Sequence, residues 1–526
     1  MIMEPEPTPT METDAMISKR EDDHRGERPS HAAYTQIVLL SVVCFCCPGL
    51  FNALSSFASG LDDPTLAFNG NVVIYLCFTA SSAVAAACVV ALGVPRALTL
   101  GTLGYLLYTA SLWFLQTRGI TGGDAADDTA RVIFFMACAA LGASAGLLWT
   151  AQGQMIMSYA THCNQGRYLS TFWIIFNLGA TSGGVLTFCL NYNSPTTRDP
   201  GNTKRSVAPA TFLAFMLLTA VGTAIAALLI VPPCDVVKED GERVTQATNT
   251  SHVQHNEDDD AALSWWRHMQ ALAHYVASHA EIALLFPCFV YSNWFYTYHS
   301  FFNVATFNAR SGGLASACYW AAQMLSAHYL GRALDHAAAT NGPLVIAKRS
   351  LLGLAALWNV MWAWGWYVQQ TELGLSYAAP LGLDLVRDAA RLRGPLLLYV
   401  VYGAGDAVGQ VWIYWFLSSV CASGKNVRVA GYHAGLYKAI QALSAAVSWY
   451  LGATQLAPSR QLEINWLLAN LAVTGAWLSL VGMNKRGGTR FLGLKGSGVA
   501  TKSTGKRKSE AEAEAEEPSM TMYTVA

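Results

Sequence analysis

The chain has 526 residues, of which 53% are hydrophobic and only 13% charged, with a formal net charge of −1. Soluble proteins carry about 25% charged residues, so this composition excludes a large water-soluble core and points to a polytopic membrane protein. The near-zero net charge offers no field for nucleic acid, and no nucleic-acid partner is expected. The motifs of soluble enzymes are missing: there is no P-loop ending in Gly-Lys-Ser/Thr, no GxSxG elbow and no HExxH pair. An enzymatic function is therefore not expected.

Residues 1–33 are polar and rich in Pro, Glu, Asp and Arg. They read as a disordered cytoplasmic tail, and with no secretory signal before Tyr34 the first span is expected to be a retained helix. Twelve apolar segments follow, each long enough to span at about 1.5 Å per residue. They are 34–58, 69–92, 98–117, 131–160, 168–191, 209–231, 281–305, 313–332, 345–368, 395–420, 430–452 and 462–483. The segment 232–280 between the sixth and seventh holds Pro232-Pro233 and the acidic run Glu257-Asp258-Asp259-Asp260. It reads as a cytoplasmic linker whose end, Leu263 to Ala280, forms an amphipathic surface helix. Residues 484–526 read as a second disordered tail. The expectation is an all-α protein of twelve transmembrane helices: a six-helix bundle over 34–231, another over 281–483, and a long middle loop. That is how the major facilitator arrangement looks from sequence.

An even number of spans puts both termini on one side. Lys19, Arg20, Arg25 and Arg28 precede the first span, and Lys485, Arg486, Arg490 and Lys495 follow the last. The first loop has no Lys or Arg, only Asp62 and Asp63. Both termini are thus expected in the cytoplasm. The sequon Asn249-Thr250-Ser251 would then go unused, and glycosylation there would overturn the topology. The twelve cysteines, among them Cys44, Cys46, Cys47, Cys77, Cys88, Cys138 and Cys189, sit mostly in apolar runs without metal-ligand spacing. They read as packing residues, and no metal or cofactor is expected.

An ionisable side chain at membrane depth is a functional hypothesis by default. Asp406 lies near the middle of the tenth span and Lys438 inside the eleventh. Counting about 1.5 Å per residue places Asp406 roughly 16 Å from the outer end of its helix and Lys438 roughly 12 Å from the inner end of its own. Across a core of about 30 Å these depths nearly coincide, so the two are expected to pair. Gln410, four residues after Asp406, shares its face. The pair reads as a coupling or substrate-binding site, or as a structural ion pair that fixes two helices. In the fourth span Thr150, Gln152, Gln154 and Ser158 interrupt an apolar run. Gln152 and Gln154 cannot share one narrow face, so at least one points into the bundle, as helix glue or as pathway lining. Asn177 and Asn52 are expected inside because an amide rarely faces lipid. In the seventh span Tyr291, Trp294, Phe295, Tyr298, Phe301 and Phe302 recur on one helix side, with Asn293 and His299 among them. They face lipid, or at mid-depth line a cavity. Trp358, Trp362 and Trp366, at four-residue steps, are expected to face lipid and the interfacial belt.

Several stretches resemble one family, the Unc-93-like branch of the major facilitator superfamily in its fungal-type form. They are Pro48-Gly49-Leu50-Phe51-Asn52-Ala53-Leu54; Gly146 to Tyr159, GLLWTAQGQMIMSY, which includes Trp149; Gly166-Arg167-Tyr168; Trp173 to Ala180; Ser292 to Tyr298; Phe307-Asn308 with Arg310; Tyr319-Trp320 with Gln323; Leu334-Asp335; Asp406-Ala407 with Gln410 and Tyr414-Trp415; and Tyr437-Lys438 with Gln441, then Ala445 to Trp449. Departures are Ser55 to Asp63 where the family has a glycine-rich run, and Ala160 where proline is common. Gly93-Val94-Pro95-Arg96 lacks the full charged set that many facilitators use for gating, and Gly331 to Asp335 is a partial equivalent. The resemblance implies a twelve-helix facilitator fold. It also implies two kinds of activity, since the wider family includes trafficking chaperones and potassium-channel regulators while its fungal-type members are regarded as transporters without an assigned substrate.

The reading from sequence is a secondary transporter of a small solute or cation, working by alternating access, with Asp406, Lys438, Gln410, Asn177, Gln152 and Trp294 near a central cavity. The alternative is a non-transporting helper that binds another membrane protein through an outer helix face, the 369–394 loop or the tails. A cavity at mid-depth would favour the first, a closed and packed centre the second. A channel component is weaker, because no filter-like motif appears.

Overall fold

Backbone amides find no water in hydrocarbon, so an apolar chain of this kind satisfies them within helices. A computed structural model describes residues 31–52, 54, 64–118, 125–193, 209–244, 260–377, 379–420 and 426–485, and every long element among them is helical. In the first half these are α1 (Ala33–Cys44), which continues through a π turn at Phe45–Gly49, α2 (Pro64–Leu92), α3 (Val94–Arg118), α4 (Ala125–Tyr159), α5 (Gln165–Leu190) and α6 (Pro209–Leu228). The second half holds α7 (Asp260–Ser278), α8 (Ala280–Ala283), α9 (Phe286–Trp294), α10 (Tyr296–Thr306), α11 (Ala309–Ala338), α12 (Pro343–Tyr367), α13 (Ala389–Ser419), α14 (Val427–Ala453) and α15 (Pro458–Lys485). The sequon, the run Glu257 to Asp259, residues Ser55 to Asp63 and the tails before His31 and after Lys485 lie outside the described residues.

Nine of the described helices are long and apolar enough to cross a membrane, and a tenth span arises if Met269–Ser278 and Ala280–Thr306, which meet at 90°, are taken together. Among the twelve segments read from sequence, α11 and α14 are not in that set. Both are long, but they carry Arg310, Gln323 and Asp335, and His433, Lys438 and Gln441, which lower their hydropathy.

The seventh segment, expected as one helix over 281–305, is broken. Pro287 opens α9, and the helix stops and restarts at Phe295. Two carbonyls at the break are satisfied from α14: Ser444 Oγ donates to Val290 O at 2.8 Å and Ser448 Oγ to Trp294 O at 2.6 Å. Hydroxyls from a neighbouring helix are how a membrane protein tolerates an interrupted span.

Trp358 and Trp362 do not face lipid as expected. They are 3% and 0% exposed, and only Trp366, at 43%, is at the surface. Their indoles are used inside: Trp358 Nε1 donates to Gly405 O at 3.1 Å and Trp362 Nε1 to the Tyr291 hydroxyl at 2.8 Å. Steps of four turn a helix by about 40° each, so Trp366 has rotated out of the face that Trp358 and Trp362 share.

The two sequence halves meet along two seams, α5 against α11 and α2 against α14, with α13 packed on α11, α5 and α4. The α5–α11 seam is antiparallel and built on small residues. A Cβ on Gly166 would run into the Gly331 carbonyl, and one on Gly184 into the backbone of Ala317. Such contacts let helices lie close without a hydrophobic drive between them. Beneath the bundle the start of the linker folds back on the first helix, with Ala33 N bonded to Val237 O at 2.9 Å and Val237 N to His31 O at 3.0 Å.

Candidate functional site: a buried carboxylate joined to an amine by amides

Asp406 sits on α13, and its helix is seated by small residues. A side chain at Gly403 would run into the Tyr319 carbonyl of α11, and one at Gly405 into Met361 of α12. The carboxylate is 3% exposed and fully provided with donors. Its Oδ2 accepts from the hydroxyls of Tyr296 at 2.7 Å and Tyr319 at 3.1 Å and from Gln323 Nε2 at 2.7 Å. Its Oδ1 accepts from Gln410 Nε2 at 2.6 Å. Four donors from α10, α11 and α13 thus replace the water that a carboxylate holds in solution.

Lys438 of α14 is 4% exposed. Its Nζ donates to Gln441 Oε1 at 2.7 Å and lies over the rings of Trp149, Tyr437 and Tyr414, at 4.7, 4.8 and 5.4 Å from their centroids. Aromatic faces stabilise a desolvated ammonium. The expected direct pair with Asp406 is not formed: no ion pair joins them among the described residues. Two amides connect them instead. Gln441 Nε2 donates to Gln410 Oε1 at 3.5 Å, and Gln410 Nε2 donates onward to Asp406. The chain runs ammonium, Gln441, Gln410, carboxylate, with every amide dipole in the same sense. Each bond polarises the next. Gln441 Nε2 also reaches Ser292 Oγ at 2.9 Å and the Tyr437 hydroxyl at 3.2 Å, which ties the chain to α9.

A second arm crosses to the first half. Asn177 Nδ2 on α5 donates to Gln323 Oε1 at 3.2 Å, and Gln323 donates to Asp406. Gln152 Oε1 on α4 accepts from the Tyr414 hydroxyl at 3.0 Å. Both Gln152 and Gln154 are buried. Trp149 packs edge-on to Phe176 at 5.5 Å beneath Lys438. The structure therefore brings Asp406, Lys438, Gln410, Asn177, Gln152 and Trp149 into one region. Tyr298 stands beside it in an aromatic cluster with Trp362 and Tyr402. Asn293 and Trp294 are half-buried on α9, and Asn52 is half-buried at the end of the first span. Sequence reasoning did not single out Tyr296, Tyr319, Gln323, Gln441 and Tyr414 as site members. Helical spacing could have found two of them: Gln441 is at i+3 from Lys438, and Gln323 is at i+4 from Tyr319.

About 170 Å³ of empty space adjoins the carboxylate, lined by Tyr291, Ser292, Phe295, Trp358, Asp406, Gly409, Gln410 and Ile413, and nowhere wide enough for a water molecule. This hollow is closed to water and has Asp406 and Gln410 on its wall. Polar contacts between the halves also stand at both ends of the α5–α11 seam. At one, Asp335 of α11 accepts from the backbone N–H groups of Gly166 and Arg167, both at 2.7 Å, at the start of α5. Those are amides that the helix itself leaves unpaired, at its positive end. Glu239 of the linker adds bonds to Arg167, Tyr168 and Asn164 at the same place. At the other end Arg310 forks onto Asp384 through Nε at 2.8 Å and Nη2 at 2.6 Å, and its Nη1 donates to Tyr192 O at 3.0 Å across the seam. The guanidinium, with Asn308 and two backbone amides, holds the Asp384 carboxyl well below the ordinary carboxylate range.

The family description "Ion channel regulatory protein UNC-93" matches residues 64–293. UNC93-like protein 1 of Arabidopsis thaliana is 30% identical over 440 residues, 83% of this chain and 87% of that protein. The chain belongs to the UNC93-like family. Its similarity to an UNC93-like protein of Schizosaccharomyces pombe is 32% identity over 426 residues, covering 80% of this chain and 76% of that one. Among solved structures the UNC93-like chain is similar to the human organic anion transporter MFSD10, with TM-score 0.53 and 13% identity over 86% of this chain and 100% of that one. It is similar also to the xylose transporter XylE from E. coli in a partially occluded inward-open conformation, with TM-score 0.52 and 11% identity over 86% and 97%. At such identities these likenesses establish the major facilitator fold alone.

Proposed function

We propose that this UNC93-like protein is a secondary transporter of a small solute, working by alternating access between residues 34–231 and 281–483, with Asp406 as the coupling group. The observation that carries this reading is the chain from Lys438 through Gln441 and Gln410 to Asp406 and on through Gln323 to Asn177. It is buried where the two halves meet, so a change of charge on Asp406 is felt on both sides of the seam. The reading counts twelve spans in a six-plus-six arrangement, taking α11 and α14 as spans because Gln323 of one and Lys438 and Gln441 of the other are buried in the central chain rather than set against lipid. The basic ends favour cytoplasmic termini. The Asp335 contact then closes the cytoplasmic side and the Arg310 contact the outer side, and parting one while keeping the other exposes the centre to one compartment.

The test is flux in proteoliposomes beside unfolding in detergent. Asp406→Asn is expected to abolish accumulation driven by a proton or cation gradient while the protein stays folded. Unaltered accumulation removes Asp406 as the coupling group.

One observation favours the other reading, a non-transporting regulator of another membrane protein: the hollow beside Asp406 has no space wide enough for water. Purification in mild detergent decides between them. One stable membrane partner at stoichiometric amounts, with no flux for any solute, supports the regulator.

A further inference from the structure

Resting on the transport reading, the hydrogen-bonding capacity left over at the centre narrows the solute. Asp406 is saturated by four donors, so a cation arriving there has to displace one of them. Lys438 differs. Its ammonium carries three protons. Gln441 Oε1 takes one, and the other near neighbours are the faces of Trp149, Tyr437 and Tyr414, which steady the charge without an oxygen acceptor.

Two more buried donors stand around Tyr414 without a hydrogen-bond partner, Gln152 Nε2 and Trp173 Nε1. Gln152 gives its oxygen to the Tyr414 hydroxyl, which leaves its nitrogen. Trp173 lies edge-on to the Tyr414 ring at 6.0 Å, and an indole can only donate. Both side chains are at least nine-tenths buried. A buried donor without an acceptor is destabilising, and here two of them, on α4 and α5, flank a ring that also carries an ammonium from α14. The unpartnered acceptor nearby, Asn177 Oδ1, is one helical turn from Trp173 and suits a hydroxyl on the same molecule.

We propose that the solute is a small organic monoanion whose carboxylate is received by Lys438, Gln152 Nε2 and Trp173 Nε1, where α4, α5 and α14 meet around Tyr414.

Charge balance adds the coupling. Asp406 and Lys438 together are neutral. A carboxylate entering alone leaves one uncompensated negative charge in a low-dielectric place, the costliest arrangement available. A proton taken up by Asp406 from the same compartment cancels it. The groups in direct contact with Asp406 are Tyr296, Tyr319, Gln323 and Gln410; Tyr75 of α2, Tyr291 of α9 and Tyr437 of α14 stand farther off, Lys438 lies behind Gln441, and His299 Nδ1 is 3.2 Å from the Tyr319 hydroxyl. None of the four in direct contact brings a charge, so the proton goes to the carboxylate. The anion therefore enters with one proton.

The test uses the full chain in detergent, with lactate and benzoate against their neutral counterparts lactamide and benzamide, read by thermal shift at several pH values. Both anions are expected to stabilise the protein and both amides to leave it unchanged. One proton per anion makes the apparent Kd about tenfold tighter for each unit of pH lowered while free Asp406 is ionised. Asp406→Asn keeps anion binding and loses that slope. Lys438→Gln loses binding. Gln152→Leu, which leaves the amide chain intact, weakens it about tenfold or more, the worth of one hydrogen bond to a charged group. Equal shifts by amides and anions overturn the assignment, and so does a blank for all four compounds. Anion binding without uptake into proteoliposomes leaves the site standing and refutes transport. Uptake of a neutral or cationic solute without anion binding does the reverse.

Discussion

Removing one charge from the central chain strands the other. Asp406→Asn leaves the Lys438 ammonium buried with Gln441 Oε1 and three aromatic faces, and no anion at the end of its amide chain. Lys438→Met leaves a carboxylate held by four neutral donors. Breaking one side of a buried pair typically costs about 3–5 kcal/mol, because the remaining charge is uncompensated. The double variant holds no charge. The amide that replaces the Asp406 carboxylate still offers an oxygen to Gln410 Nε2, but its nitrogen now meets Gln323 Nε2, so the losses are that bond and the donor to Gln441 Oε1, about 1–3 kcal/mol each. Independent sites would sum to about 6–10 kcal/mol, whereas coupling through Gln410 and Gln441 predicts a double variant well short of that sum and no worse than Asp406→Asn alone. The assay is equilibrium unfolding of the four proteins in mixed micelles, read by tryptophan fluorescence. A double variant that equals the sum of the singles to within about 0.5 kcal/mol refutes the coupling, and with it the amides as the connection between the charges.

Three further expectations follow from the packing. Ser448→Ala frees the Trp294 carbonyl at the helix break and is expected to destabilise by about 1–2 kcal/mol in the same unfolding assay, with Ser444→Ala similar at Val290. Asp335→Ala removes two acceptors from the start of α5, so hydrogen exchange at Gly166 and Arg167 should speed up while exchange in the middle of α13 is unchanged. The Asp384 carboxyl is depressed when folded, so its contribution is present above the ordinary carboxylate range and is lost as pH falls through its lowered value. Proteolytic resistance of the 374–388 loop should hold steady from pH 7 to about 4 and fail only in stronger acid, while Asp384→Asn should be susceptible throughout.

Much of the fold was legible because the spans announce themselves as uncharged apolar runs, and the family is written in motifs such as the one from Gly146 to Tyr159. Asp406 and Lys438 stood out for the same reason, as charges where charges are costly. Their means of contact was not legible. Glutamine and tyrosine are ordinary residues in a membrane helix, and only the packing shows that Gln410 and Gln441 lie between the two charges. Trp358 and Trp362 were misplaced because an aromatic stripe has the same spacing whether it faces lipid or a neighbouring helix. The break at Phe295 left no mark, since neither proline nor glycine stands there; the signal lay in Ser444 and Ser448, one turn apart on another helix. Asp335 was visible as part of a gating motif, but its partners are backbone amides, which no sequence pattern names.

The interruption at Phe295 has mechanical meaning. On one side of it the Trp294 carbonyl is pinned to Ser448 of α14, and on the other Tyr296 is hydrogen-bonded to Asp406 of α13. The weak point of the span is thus clamped between the helix that carries the ammonium and the helix that carries the carboxylate. If Asp406 is the coupling group proposed above, a proton there changes the pull on Tyr296 and leaves the pull on Trp294 as it was. The strain of such a change then falls on the single residue between the two clamps, Phe295, whose backbone links one to the other.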